Sequence, residues 1–326
     1  MYLSNNTKLF IDIINKLILK DKNLQNFESY LYKNVHYSSN IVDFLQDVYK
    51  YYYISKNELN KYYNYFYKLN NIYYSTLLIK DDYKNKLKLE KILKTKFINK
   101  NKDKILNEIK KLRKVYINNL DIEIYYNMKV TNYELDKLLY KIIHLYFIIL
   151  KIFKIPERKI KLIILYSSLK KQYYNGSKLI DSGNMNSGFS YENTIVLFRK
   201  EEILKVFIHE LLHNFGLDNF YYNSTNKQLL KIFRINSNNN FNEAYIEFVA
   251  IIIHTLYISF LFEKNYISAV KLFSDLINYE IIFSFIQCIK FLNNYDMNIS
   301  DFFRENNYYE ETNTFSYICL KFLLLF

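Results

Sequence analysis

Glycine and proline are confined to one short stretch of this chain, which limits where its backbone can turn sharply. The 326 residues include four glycines and one proline, and all five lie within residues 156–216. Because glycine allows positive φ and proline interrupts helices, the segments on either side can form long uninterrupted helices. Half of the residues are hydrophobic, so we expect one main domain with helical additions rather than several independent domains.

The pattern of apolar residues in the middle of the chain predicts alternating strands and helices. The runs with the composition of strands are Asp121–Val130, Ile160–Tyr166 and Asn193–Phe198. Between the first two, Thr131 and Glu134 form a capping box that opens a helix ending near Lys154. After the third, Glu201 and Glu202 begin another helix, where acidic residues suit the helix dipole. The predicted series is strand, helix, strand, strand, helix.

The second of these helices contains the sequence His209-Glu210-Leu211-Leu212-His213. Residues four apart lie on one face of a helix, so His209 and His213 can bind a single metal ion through their ring nitrogens. Glu210 then lies beside that ion, where it can take a proton from an activated water. With only 5 histidines in the chain, such a match is expected by chance in fewer than about one chain in a hundred. The motif predicts a hydrolytic metal site; the alternative is a pair of packed histidines without a catalytic role.

A pair of acidic residues further along the chain supplies a candidate third ligand. Glu243 and Glu247 are four apart at the start of a predicted helix that runs through Phe262. Close carboxylates repel each other unless a cation or a donor lies between them. A metal bound by Glu243, with Glu247 accepting a hydrogen bond from the outer nitrogen of a ligating histidine, would satisfy both. His254, three helical turns past Glu243, is expected to line the cleft or to be a core histidine.

The motif, followed downstream by Asn-Glu-Ala and a further acid, resembles the gluzincin branch of zinc metallopeptidases, which includes thermolysin-like enzymes and aminopeptidases. The resemblance implies one zinc ion per chain bound by His209, His213 and Glu243. It also implies that Glu210 is the general base and that Glu247 orients a zinc ligand through a hydrogen bond without binding the metal itself. The implied activity is hydrolysis of peptide bonds in a peptide or protein substrate.

The spacing leaves an alternative for the third ligand. The 29 residues between His213 and Glu243 exceed the spacing usual in those enzymes. The segment that follows His213 resembles the metzincin pattern, in which a third ligand comes shortly after a glycine, and this makes Asp218 the alternative ligand. Gly216, between them, fits the C-terminal cap of the motif helix. The whole stretch is also similar to uncharacterised zincin-like proteins of large DNA viruses with AT-rich genomes.

The same resemblance implies a substrate-binding strand. In zincins the strand before the motif helix is a sheet edge that pairs with an extended peptide. This role falls to residues 187–198, and the candidate contacts there and just before are Asn186, Gly188, Asn193 and Thr194. A tyrosine or histidine over the metal usually stabilises the oxyanion in such enzymes. Among 35 tyrosines the sequence does not select one, and Tyr308 and Tyr309 are two candidates.

The expected fold class is α+β. A zincin-like catalytic core, made of the predicted series plus the helix that carries Glu243, is assigned to residues 116–272. Residues 1–115 and 273–326 are expected to be mostly helical, and the second of these regions could cover one wall of the catalytic cleft. Within the first, Ser55 and Glu58 predict another capping box.

The net charge is +13, and residues 84–114 alone carry 13 basic and 3 acidic residues. Such a cluster can bind nucleic acid or anionic lipid. However, the chain has 40 lysines and 5 arginines, whereas phosphate recognition favours the planar fork of arginine. The pattern favours a solvated helical face over a nucleic-acid site. Two alternatives to an active enzyme stay open: an inactive zincin-fold binding or virion-structural protein, and a polyanion-binding module that acts through the basic N-terminal helices.

Signals for a cellular compartment are mostly absences. The first twenty residues lack the charged-then-apolar layout of a signal peptide. Phe248–Phe262 offers about fifteen apolar residues, fewer than the about twenty that span a membrane. Cys288 and Cys319 are too few for a disulfide framework. We expect no transmembrane segment and an intracellular location, in the cytoplasm of a cell or of an infected host cell or in a virion, rather than secretion. The sequence indicates no oligomeric state.

Overall fold

The computed structural model contains both helices and a sheet and is compatible with the α+β class. It describes residues 39–68, 75–79, 82–117, 119–171, 180, 182–218, 233, 241–304, 308–310 and 312–325. Residues 1–38 of the region expected to be helical lie outside the described residues.

The helices and strands are numbered separately in chain order. The helices are α1 (Ser39–Lys68), α2 (Tyr83–Leu93), α3 (Lys102–Glu108), α4 (Asn132–Ile152), α5 (Ser182–Met185), α6 (Ile203–Asn214), α7 (Phe241–Phe262), α8 (Tyr266–Asn294) and α9 (Lys321–Leu325). The strands are β1 (Ser75–Leu78), β2 (Lys111–Ile117), β3 (Leu120–Tyr126), β4 (Ile160–Tyr166), β5 (Gly188–Tyr191) and β6 (Thr194–Leu197). A π-helical turn at Ser316–Leu320 leads directly into α9. Short 3-10 turns occupy Asn99–Asn101, Lys200–Glu202 and Ile299–Phe303.

The described strands form one mixed sheet in the order β1-β2-β3-β4-β6-β5. In its centre β3, β4 and β6 run parallel, while β1 and β2 extend one end antiparallel and β5 pairs antiparallel with β6 at the other. A parallel connection needs a crossover, and α4 makes the one from β3 to β4. The Thr131 side chain caps α4 by accepting from the Glu134 backbone N–H at 3.2 Å, which confirms the predicted start of this helix.

Both faces of the sheet are covered by helices. On one face, α1, α4, α6 and α7 pack against residues such as Ile122 and Ile164. On the other, α2 and α3 pack against residues such as Tyr125 and Ile163. Strands buried on both faces have continuous apolar runs rather than alternating ones. This explains the composition of β4, whose bounds agree with the strand predicted from sequence.

The C-terminal elements form a third cluster. Helix α8, the π-helical turn and α9 pack with α7 through residues that include Ala244, Phe291 and Ile318. Cys288 and Cys319 are buried free thiols in this cluster, and their Sγ atoms lie 3.3 Å apart. This region therefore packs against the helix that carries Glu243.

The described residues before residue 116 are mostly helical, in α1, α2 and α3, but they also include strands that the sequence did not predict. Both β1 and β2 lie there, and the boundary drawn between residues 115 and 116 falls inside β2. The sequence of β2 does not show the apolar–polar alternation of a strand, because the charged residue Arg113 is buried there and binds Asp136 at 2.6 Å. The second predicted capping box is also wrong, because α1 continues through Ser55, which is fully buried.

Two helices, α7 and α8, are long and apolar enough to cross a membrane by length and composition. The most apolar window is 56% buried in α7 and 33% buried in α8. Core helices of soluble proteins meet the same criterion, so the absence of a transmembrane segment stays an expectation.

Candidate metal centre

Helix α6 holds the motif between the sheet and α7. Its residues Phe207 and Leu211 are fully buried, so packing fixes which face of the helix the histidines occupy. After the helix, Gly216 has a φ of 71° and its N–H donates to the His213 carbonyl at 2.8 Å. Glycine adopts this left-handed conformation at low cost, which confirms the predicted cap.

Three candidate ligand atoms converge at one point. His213 Nε2 lies 3.2 Å from His209 Nε2 and 3.2 Å from Glu243 Oε2, and His209 Nε2 lies 3.5 Å from the same oxygen. These three residues form a group that could hold a metal ion. For ligand bonds of about 2.0–2.1 Å in a tetrahedron, neighbouring ligand atoms are about 3.3 Å apart. The observed triangle matches that separation, and two imidazoles with one carboxylate are a donor set that fits a divalent transition metal.

Each imidazole also contacts a carboxylate through its outer nitrogen. Asp218 Oδ2 accepts a hydrogen bond from His213 Nδ1 at 2.9 Å. Glu247 Oε2 lies 3.1 Å from His209 Nδ1, in an ion-pair contact that departs from the line of a straight hydrogen bond. Both contacts favour a proton on Nδ1 and leave Nε2 free to bind a metal. The structure thus places Asp218, the alternative ligand, on the far side of the His213 ring from the point where the three atoms converge.

The electrostatics of the group favour a positive charge within it. Burial opposes protonation of both rings, but the carboxylates outweigh it: Glu243 and Glu247 raise the pKa of His209 to about 9. Asp218 and Glu243 likewise raise the pKa of His213 to about 10. Burial works against the charged form of Glu243, yet the two imidazoles hold its pKa well below the ordinary value. Such a concentration of negative charge in a buried site stabilises cations.

Glu210 lies beside this group and is 7% exposed. Burial raises the pKa of Glu210, while His209, His213 and a hydrogen bond from the Ser190 hydroxyl act in the opposite direction. Because Ser190 belongs to β5, the edge of the sheet and the motif helix meet at this carboxylate. A carboxylate whose pKa is raised towards neutrality is better suited to accept and return a proton than an ordinary one.

Among the described residues, Tyr317 is the tyrosine that lines the cavity at the motif, and the sequence did not select it. It lies in the π-helical turn, and its ring centroid is 5.9 Å from that of His209. Its hydroxyl lies within hydrogen-bond reach of Glu243. Burial, with the charges of Glu243 and Glu210, raises the pKa of Tyr317 well above its ordinary value, so the hydroxyl keeps its proton. Single π-helical turns occur frequently at functional sites.

The two tyrosines named from the sequence lie elsewhere, which corrects that expectation. The Tyr308 hydroxyl donates to Glu310 at 2.5 Å, and its ring is buried in the C-terminal cluster. Tyr309 is exposed. Adjacent residues on an extended segment point in opposite directions, and neither side chain lines the cavity at the motif.

The edge strand beside the motif helix is β5 rather than β6. Gly188 lies on this edge strand and Asn186 precedes it. Thr194 lies in β6 and Asn193 in the turn before it, and β6 pairs with strands on both sides, so neither offers a free sheet edge. A Cβ atom at Gly188 would lie 2.7 Å from Val206 Cγ1. Glycine therefore lets β5 lie directly against α6.

No protein-family model, curated protein or solved structure matches the chain. The fold itself brings α6, α7, β5 and the π-helical turn together around the motif. His254 lies on α7 outside the group of possible ligands. Burial, together with the charges of Lys205 and Lys141, lowers the pKa of His254 to about 4, as expected of a neutral, packed histidine.

Proposed function

We propose that this chain is a zinc-dependent metallopeptidase with a zincin-like core of the gluzincin type. The observation that carries the proposal is the triangle of His209, His213 and Glu243 with Glu210 beside it. Its dimensions and donor set suit tetrahedral zinc, which in catalytic sites has three protein ligands and one open position. Carboxylates behind both imidazoles add the supporting contacts that such ligands usually have.

The side chains around the open position have the groups that peptide hydrolysis needs. A bound zinc ion supplies Lewis acidity, which polarises a carbonyl and makes a water acidic. Glu210 takes the proton of the attacking water and then delivers it to the leaving amine. Ser190 lies within hydrogen-bond reach of Glu210, and β5 offers a sheet edge along which an extended peptide can lie.

Tyr317 is the proposed donor to the oxygen that becomes negative during attack. Its hydroxyl already lies within hydrogen-bond reach of Glu243 and keeps its proton. A donor aimed at a developing oxyanion contributes about 100-fold to 1,000-fold to kcat. This assigns to Tyr317 the role that the resemblance left without a residue.

The deciding experiment compares the wild-type chain with Glu210→Gln. Both are dialysed against zinc, and metal content is measured by mass spectrometry of the elements. Cleavage is followed on a mixture of unstructured peptides by mass spectrometry of the products. We expect about one zinc per chain in both proteins and loss of cleavage by about 100-fold to 10,000-fold in the variant, because only the general base is removed.

Glu201→Gln is the matched control, since Glu201 is an exposed acid in the 3-10 turn that precedes α6. It should bind zinc and cleave as the wild type does. Wild-type protein that takes up no zinc, or a Glu210→Gln protein that cleaves at the wild-type rate, would contradict the proposal.

The exposed lysines of residues 84–114 favour polyanion binding as a second candidate function. They are Lys84, Lys86, Lys91, Lys94, Lys96, Lys100, Lys104 and Lys110. Binding of this kind would weaken steeply with salt and would survive His209→Ala, which removes a proposed zinc ligand. Titration of a fluorescent single-stranded DNA at two salt concentrations with both proteins separates this function from the metal site.

A further inference from the structure

A cavity of about 390 Å³ adjoins the proposed zinc ligands. His209, Glu210 and Tyr317 form part of its wall. This volume is within the usual range for sites that bind small molecules or short segments of a larger one. The described residues that line it include the lysines Lys171, Lys205, Lys290 and Lys321.

Two of these lysines are already neutralised by carboxylates. Lys205 forms an ion pair with Glu247, and Lys171 binds Glu202 at 2.8 Å. Glu202 also accepts a hydrogen bond from Ser187 at 2.8 Å. These pairs form part of the wall and leave no charge for a ligand.

Lys321 differs from them because it is buried without a direct partner. It is the first residue of α9 and is 7% exposed. Within the part of the chain that the structure describes, its ammonium group forms neither a hydrogen bond nor an ion pair. Buried ammonium groups are normally paired, since removing the charge from water is costly.

The two carboxylates that attract the Lys321 ammonium group, Glu247 and Glu280, do not supply that partner. Glu247 attracts Lys321 but is already held by Lys205 and His209. Burial raises the pKa of Glu280, which weakens it as a counter-charge. Burial also lowers the pKa of Lys321, as expected for an ammonium group that lacks a full counter-charge. A ligand anion in the cavity would complete the pairing.

We propose that Lys321 binds a carboxylate of the peptide substrate, next to the bond that is cleaved. The inference rests on the proposed peptidase function and narrows its substrates to peptides with a carboxylate near the scissile bond. Two sources share this chemistry: the α-carboxylate of a peptide C-terminus and the side chain of an aspartate or glutamate. Lys321 and Tyr317 are four residues apart on one face of the π-helical turn and α9, so both side chains reach the same cavity.

The test uses four sets of acetylated hexapeptides whose other positions are random among uncharged residues. They end in a free carboxylate or a carboxamide, and each kind either contains one aspartate or has asparagine in its place. Cleavage by the zinc-loaded full chain is compared with that by Lys321→Met, which keeps the length of the side chain and removes the charge. Lys271→Met is the control, because Lys271 is exposed on α8 outside the cavity lining.

We expect the wild type to prefer the carboxylate form of one source by about tenfold or more in kcat/KM, as for a hydrogen bond to a charged group. Lys321→Met should lose this preference through a higher KM, with little change for the neutral peptides. Lys271→Met should keep it. A preference at the carboxyl end identifies the C-terminus as the source, and one for aspartate identifies the side chain. An unchanged preference in a folded Lys321→Met protein, or no preference in the wild type, overturns the inference.

A binding arm distinguishes failure of this inference from failure of the proposed function. Zinc-loaded Glu210→Gln protein, with and without Lys321→Met, is equilibrated with the same peptides, and the bound fraction is measured after dialysis. Retention of carboxylate peptides that depends on Lys321 supports the subsite even if the wild type cleaves nothing. Cleavage without any carboxylate preference refutes the subsite and leaves the peptidase function standing.

Discussion

Removal of the Asp218 carboxylate distinguishes a residue that orients a ligand from a ligand itself. The sequence offered Asp218 as an alternative to Glu243 for the third position on the metal. In the structure its Oδ2 lies 2.9 Å from His213 Nδ1, on the outer side of the ring. Asp218→Ala should therefore weaken zinc binding without changing its stoichiometry, whereas Glu243→Ala removes a proposed ligand.

The expected magnitude follows from this geometry. Loss of a carboxylate that orients a ligating histidine typically weakens metal affinity by about 10-fold to 100-fold, or about 1.4–2.7 kcal/mol. The Asp218 side chain is 17% exposed, so water can reach the vacated nitrogen only in part, and we place the effect within that range. Glu243→Ala should exceed it, because the ring nitrogens then lack the third ligand.

Competition for zinc with a coloured chelator measures the affinities, and thermal unfolding at fixed free zinc provides an independent check. Since a ligand stabilises the folded state by RT ln(1 + [L]/Kd), Asp218→Ala should lose about 1.4–2.7 kcal/mol of the zinc-dependent stability when zinc is in excess of Kd. Glu201→Ala, at an exposed position, controls for the loss of one negative charge. Equal losses in Asp218→Ala and Glu243→Ala, or wild-type affinity in Glu243→Ala, would refute the assignment of ligands.

Three further predictions follow from single contacts. Tyr317→Phe should lower kcat by about 100-fold to 1,000-fold while zinc content and KM stay close to wild type; steady-state kinetics with metal analysis would contradict this if kcat were unchanged. Gly188→Ala should destabilise the protein by about 1–3 kcal/mol in urea unfolding, because its Cβ would lie 2.7 Å from Val206 Cγ1; no loss would mean that β5 is less tightly packed on α6. Burial lowers the pKa of His144 to about 4, although its Nε2 donates to the Tyr52 carbonyl. As the pH falls from about 6.5 to 4, the unfolded chain therefore binds a proton at His144 that the folded chain does not. The free energy of unfolding should drop by about 3 kcal/mol over this range. Unfolding measured across this range should show a shallower fall in His144→Gln, and identical profiles would exclude His144 as the cause.

The elements that were predicted well are those whose local signals and tertiary environment agree. The β4 run is apolar because the strand is covered on both faces, and Thr131 caps α4 through its own side chain. The motif helix begins after two acids and ends at a glycine with positive φ. These elements could be predicted because each signal depends on neighbouring residues in the chain.

The elements that were missed depend on contacts with distant residues. Arg113 is charged yet buried in β2, because Asp136 on α4 binds it. Ser55 resembles the cap of a new helix, but α1 continues through it while packing against α4 and α7. Burial of a continuous helix face outweighs the preference of a single residue for a helix start. Neither partner could be identified without the fold.

At the candidate site, too, some residues could be predicted from the sequence and others could not, although their spacing gave a usable signal. Glu243 and Glu247 were selected because two acids one turn apart on an apolar helix require a partner. Tyr317 and Lys321 have the same spacing in a C-terminal segment that is otherwise largely apolar, and the structure places both at the cavity beside the motif. A buried charge on an apolar helix indicates an unmet interaction whether its sign is negative or positive. By the same reasoning, two acids one turn apart on α7 indicate a cation, and a buried lysine on α9 indicates an anion, which we propose to be a carboxylate of the peptide substrate.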